Sequence, residues 1–246
     1  VGNWTLIFWV LAGVAVLSGL AALRLLPETL PVHKRIPISA RSIIRNYAKL
    51  LANWNFLRFT LASCCTISAL FIYISNSPFI FIQRFNLTPN HFSFIFAASA
   101  MSLIFTGQIN LFLLKRLKPE HVLRIGLCFF IAAASALALL SALHLEQAWS
   151  YALLLGSCLS MLGLIGGNLT ALCMQQAGNT AGIASSLMGV LQFFVAGLVS
   201  FLVNLTPMSL FVLPLILLSL GVLATVLSCL PDTKKPELNT TQSSGF

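Results

Sequence analysis

Seven apolar stretches dominate this chain, at roughly residues 4–26, 57–82, 92–114, 123–143, 149–173, 182–203 and 208–230. A helix needs about 20 apolar residues to cross the hydrocarbon core of a bilayer. Each stretch has that reach. Inside hydrocarbon a backbone must satisfy its own polar groups, so each is expected to be a helix. Charged residues make up 8% of the chain, against about 25% in soluble domains. So few charges cannot cover a water-facing surface. The expected fold is an all-α integral membrane protein with seven transmembrane helices, and its principal partner is the lipid bilayer.

The breakers respect these limits. Pro27 and Pro31 follow the first stretch, and Pro89, Pro119 and Pro207 lie in connections. Pro78 and Pro214 fall inside stretches and predict kinks, since each removes a backbone donor.

The net charge is +9. Its cations sit in short gaps between apolar runs and form no basic face, which excludes nucleic acid as a partner. Placing the first linker in the cytoplasm puts thirteen of the fourteen Lys and Arg residues on that side, with only Arg84 opposite. That asymmetry follows the positive-inside rule and places the linker and the C-terminus in the cytoplasm of a multi-pass plasma (inner) membrane protein. Trp4, Trp9, Trp149 and Tyr151 then mark the outer interface, and Tyr47 and Trp54 the inner one.

Residues 27–56 form the longest connection. Within them Ile43, Ile44, Tyr47, Leu50 and Leu51 recur at near-helical spacing, while Arg41, Arg45 and Lys49 follow an i, i+4 row on another face. An amphipathic surface helix is expected there. Four regions result: a lone helix at 1–26, the basic linker at 27–56, a six-helix bundle at 57–231 and a cytoplasmic tail at 232–246. One helix plus six makes sense when the lone helix is the last member of a preceding bundle. The chain also begins at Val1 with no charged n-region or cleavage site ahead of its first stretch, so an excerpt of a longer protein is expected rather than a signal peptide.

Several segments carry a family resemblance. They are "NWTLIFWVLAGVAVLSGLAALRLLPETLP", "YISNSPFIFIQRFNLTPNHFSFIFAASA", "GQINLFLLKRLKPEHVLRIG" and "AGNTAGIASSLMGVLQFFVAGLVS". Over residues 1–231 the chain resembles the C-terminal half of a major facilitator superfamily transporter, and more narrowly the Bcr/CflA type of drug:proton antiporters. Two positions depart from the pattern: Lys118 stands where a Gly is expected, and Gly167 where a Pro often precedes Asn168. The resemblance implies two bundles rocking about a central site, export of apolar or amphipathic small molecules, a proton gradient as energy source with no cofactor, and an N-terminal half as partner. An importer of a sugar, amino acid or organic acid, or a non-transporting membrane fragment, is the alternative.

An enzyme is not expected. His33, His91, His121 and His144 lie in linkers or at span ends with no carboxylate at useful spacing. The six cysteines lack metal-ligand spacing and read as small buried hydrophobes. No ionisable residue lies deep in a stretch, so a proton-binding acid is expected in the partner half.

Neutral polar residues remain. Tyr73 and Asn76 share the second stretch with Ser63, Thr66 and Ser77, beside Pro78. Asn110 lies on one face of the third stretch with Ser99, Ser102 and Thr106, and Gln108 on another. Asn168 follows a stripe of small residues suited to close helix approach, Gly156, Ser160, Gly163 and Gly167. Gln192 belongs to a stripe with Ser185, Gly189, Ala196 and Ser200. Tyr73, Asn76, Gln108, Asn110, Asn168 and Gln192 are the candidates for the substrate pathway, with interhelical hydrogen bonding as the competing role. Lys115, Arg116 and Lys118 form a basic turn that sets topology. Family analogy adds cytoplasmic contacts in the outward-facing state, with Glu28 placed to pair with such cations.

Overall fold

The computed structural model describes residues 4–25, 40–177, 180–206 and 209–231. Glu28, the acidic end of the first stretch, and the tail from Asp232 lie outside them. The regular elements of the described residues are all helical, with no strand among them: α1 (Trp4–Leu25), α2 (Ala40–Ala52), α3 (Trp54–Pro78), a π-helical segment (Phe79–Arg84), α4 (Pro89–Leu113), α5 (Pro119–Ala142), α6 (Ala148–Ser160), α7 (Leu162–Gln175), α8 (Ala181–Asn204) and α9 (Val212–Cys229). Seven spans among them are long and apolar enough to cross a membrane.

The chain divides into two compact units, residues 1–42 and 43–246. The division falls inside α2, whose residues from Ile43 onward belong to the second unit. α1 is apolar on every side, as a span rather than a soluble helix must be.

Local chemistry sets the helix starts. The Asn53 side chain caps α3 by accepting from the Asn55 and Phe56 amides at 3.1 and 3.4 Å. α3 therefore begins at Trp54, a turn earlier than hydropathy suggested, and takes Arg58 into the helix. Thr88 caps α4 with Pro89 in its first turn. Pro89 and Pro119 lack an N–H that a first turn would leave unpaired anyway. Gln147 and Ser150 form a capping box at α6.

Side-chain bonds fix an up-and-down order in residues 43–231. At one end Arg58 of α3 donates to the Leu230 carbonyl behind α9, and Tyr47 of α2 bonds Ser186 at the start of α8, at 3.0 Å. At the other end Asn204 Nδ2 reaches Ser75 Oγ at 3.1 Å, and the Ser141 and Tyr151 hydroxyls both donate to the Leu210 carbonyl. Arg58, Lys115, Arg116, Lys118 and Arg124 gather at the first end, and Arg84 at the second. α3 with its π extension is the hub, packed against α7, α8 and α9, with 67% of its most apolar stretch buried against 11% for α4. α4 packs on α6 and α7 through one stripe of Ile95, Ser99, Thr106 and Asn110 and leaves the rest of its circumference open.

α2 presents Tyr47 and Leu50 to the bundle. Ile44 stays 68% exposed, and Arg45 and Lys49 are exposed as well.

Candidate substrate pathway

Two of the expected spans depart from simple helices. After Pro78 the α-helix passes into π geometry rather than a bare kink, and the Phe85 amide bonds the Ile80 carbonyl five residues back at 3.1 Å. The lost donor of Pro78 is accommodated by this wider register. An aromatic ladder packs around it. Tyr73 stacks on Phe96 at 5.7 Å and 9°, Phe96 meets Phe92 at 5.8 Å, Phe92 meets Phe81 at 6.2 Å, and Phe85 meets Tyr151 at 5.5 Å. Phe81 is fully buried, whereas Phe105 faces outward.

The fifth span breaks at Met161, near its centre. The Ser160 carbonyl, which a continuous helix would pair internally, accepts instead from the Thr106 hydroxyl of α4. Gly163 lies where α4 and α7 touch: a Cβ there would overlap the Leu103 carbonyl oxygen and Thr106 Oγ1. Interrupted helices are tolerated at membrane depth where protein re-satisfies the freed groups. Hydropathy cannot see this break, because the stretch stays apolar through it; the density of Ser and Gly from Gly156 to Gly167 is the signal that marks it.

The candidates do not converge on one cavity. Asn168, 1% exposed, donates from Nδ2 to Asn110 Oδ1 at 2.7 Å and to the Leu164 carbonyl at 2.6 Å. That makes an α4–α7 clamp. Gln192 donates to the Ser63 hydroxyl and joins α8 to α3. Asn76 turns back on its own helix, to the Ile72 carbonyl at 3.0 Å. Tyr73 is buried with its hydroxyl beside Ser99, and Ser77 Oγ and Asn168 Oδ1 have no hydrogen-bond partner among the described residues. Gln108 is exposed, on the open side of α4 with Ile104 and Phe105.

A groove of about 300 Å³ runs between α4 and α6, from Phe94 and Trp149 to Ser102 and Ser160. Its hydroxyls are not free to greet a ligand. Ser99, Ser102, Ser157 and Ser160 all donate to carbonyls three or four residues back in the chain. What is left is an apolar surface.

In the basic turn, Lys115, Arg116 and Lys118 are exposed, and Lys115 Nζ lies 5.1 Å from the Phe112 ring centroid. Lys118 has φ −71°. Nothing in that backbone requires the Gly expected there, because left-handed φ among non-glycine residues occurs only at Asn86 and His144 of the described chain. Arg58, at the very start of the second apolar stretch, is 4% exposed in the first turns of α3 and lies 4.4 Å from the Phe59 ring centroid.

Seven membrane-length spans among the described residues, with an interrupted helix and a π-helical segment in two of them, define a multi-pass membrane protein. The sequence matches the Major Facilitator Superfamily over residues 1–201, and the chain belongs to that family. Among curated relatives it is 27% identical over 207 residues to the uncharacterized MFS-type transporter YdgK of Bacillus subtilis. It is 25% identical over 201 residues to the bicyclomycin resistance protein homolog of Haemophilus influenzae. Each match covers 82% of this chain and 50% of the relative, so the chain spans about half the length of the curated relatives it matches. The second relative agrees with the Bcr/CflA resemblance of the sequence.

Proposed function

We propose that this chain is part of a secondary active efflux carrier that exports apolar or amphipathic small molecules by proton antiport through alternating access. The carrying observation is that most of the polar candidates bond one another or the backbone. Asn110 bonds Asn168, Ser63 bonds Gln192, Asn76 bonds its own helix, and the groove serines bond backbone. A sugar or organic acid needs convergent free donors and acceptors in its site; an apolar cargo does not. The name of the H. influenzae relative supports drugs as that cargo. Gln108, a carboxamide on an exposed apolar face, is the candidate best placed to meet it, because polar side chains at membrane depth favour a cavity or a protein neighbour over lipid.

In this reading the carrier needs no resident cofactor. The proton-binding acid belongs to a second, N-terminal bundle that is the chain's partner, and the basic end of the fold faces the cytoplasm of the plasma membrane. The test uses the full carrier in proteoliposomes with an imposed pH gradient. Bicyclomycin or a lipophilic dye should move against its own gradient and stop when a protonophore is added. Movement of glucose, alanine or citrate with no drug flux would overturn efflux in favour of import.

A further inference from the structure

From Ile43 onward α2 belongs to the bundle unit, and it lies at the basic end. It does not continue into α3. Asn53 stands extended between them, with φ −80° and ψ 103°, and turns the chain. Successive residues of a helix stand about 100° apart, which divides this part of α2 into three sides. Tyr47 and Leu50 form the inner side: Leu50 is buried in the core, and the Tyr47 hydroxyl bonds Ser186 Oγ of α8 at 3.0 Å. Ile44 and Leu51, seven residues apart, share a line about 100° round from Leu50, and both stay exposed. Arg45 and Lys49, one turn apart and also exposed, make the third side.

Contacts with the bundle account for the inner side alone. The other two have the build of a helix that lies in a membrane interface, with an apolar flank beside a cationic one. Trp54, exposed just past the helix end, has the amphipathic ring that favours headgroup depth. The chain holds no surplus of carboxylates to cover these cations. Glu120 has Arg124 one turn away on its own helix, and Glu146 stands at the far end of the bundle. Residues 26–39 carry Glu28 against Lys34 and Arg35, and residues 232–246 carry Asp232 and Glu237 against Lys234 and Lys235. An anionic leaflet complements both outer sides together, its headgroups the cations and its acyl chains the apolar flank.

We propose that α2 is an interfacial helix seated on anionic phospholipid at the basic end of the bundle, with Ile44 and Leu51 among the upper acyl chains and Arg45 and Lys49 on headgroup phosphates. The proposal stands apart from the efflux reading and holds whatever the carrier moves.

The test places a bimane on Ile44→Cys or Leu51→Cys of the full carrier, in a parent whose exposed Cys128 and Cys229 are replaced. The protein is reconstituted in vesicles of phosphatidylcholine and phosphatidylglycerol at one fixed ratio, with a nitroxide high on the acyl chain of one lipid or of the other. Both positions should be quenched, and more strongly by labelled phosphatidylglycerol. Arg45→Gln with Lys49→Gln should abolish that preference, and Arg45→Lys should keep it. Lys115→Gln, which removes an exposed cation elsewhere, should leave it unchanged. A bimane that neither lipid quenches would show that protein covers this flank, and would overturn the site. Equal quenching by the two lipids would do the same, as would a preference that survives the double variant or is lost equally in Lys115→Gln.

Discussion

At the scale of single residues, the polar side chains within the spans act first on their neighbours. Asn110 and Asn168 make one bond between α4 and α7 beside the close approach at Gly163. Interhelical hydrogen bonds in membrane proteins contribute about 0.6 kcal/mol on average and up to about 1.7 kcal/mol. Asn110→Ala and Asn168→Ala should each lower the thermal midpoint of the purified carrier, and the double mutant should show coupling in that range, with the drug profile retained. Zero coupling would remove the clamp; an altered drug profile would return both residues to the cargo path. The sequence placed these asparagines on faces of their helices but could not pair them, since periodicity reports a direction and not a neighbour. It missed the burial of Arg58 because the Leu230 carbonyl that accepts from it lies 172 residues further along the chain.

At the scale of elements, the spans were readable because hydrocarbon dictates both their length and their helicity, and turn chemistry such as Thr88-Pro89 marks their starts. Departures from regularity were half readable. Pro78 announced a disturbance without its form, and the interruption at Met161 carried no hydropathy signal at all. The π-helical segment joins the most buried span to an aromatic ladder, and such segments are frequent at functional sites. Pro78→Ala restores a donor for the carbonyl at Ile74 and should draw Phe79–Arg84 toward α geometry. We expect unfolding temperature to hold or rise while the export rate falls. Unchanged export in a Pro78→Ala carrier would show that the segment is a passive accommodation of proline.

At the scale of the whole molecule, sidedness is the claim most open to direct measurement. The cations of residues 43–231 collect at one end of the bundle apart from Arg84. In the proposed orientation a cysteine introduced at Lys115 should resist a membrane-impermeant maleimide in sealed cells and react once they are opened. A cysteine at Asn86, next to Arg84, should react in both. The parent chain for this needs Cys128 and Cys229 replaced, as both are exposed thiols. Labelling of position 115 from outside would invert the topology.

α4 packs through a single stripe and turns Met101, Ile104, Phe105 and Phe112 outward. A fluid of acyl tails accepts any greasy side chain, whatever its shape, while a mating protein surface rejects those that do not fit. The pattern of substitutions that this helix endures is therefore a record of its neighbour. Indifference to shape would spell lipid, and intolerance clustered around Gln108 would trace the outline of a second bundle.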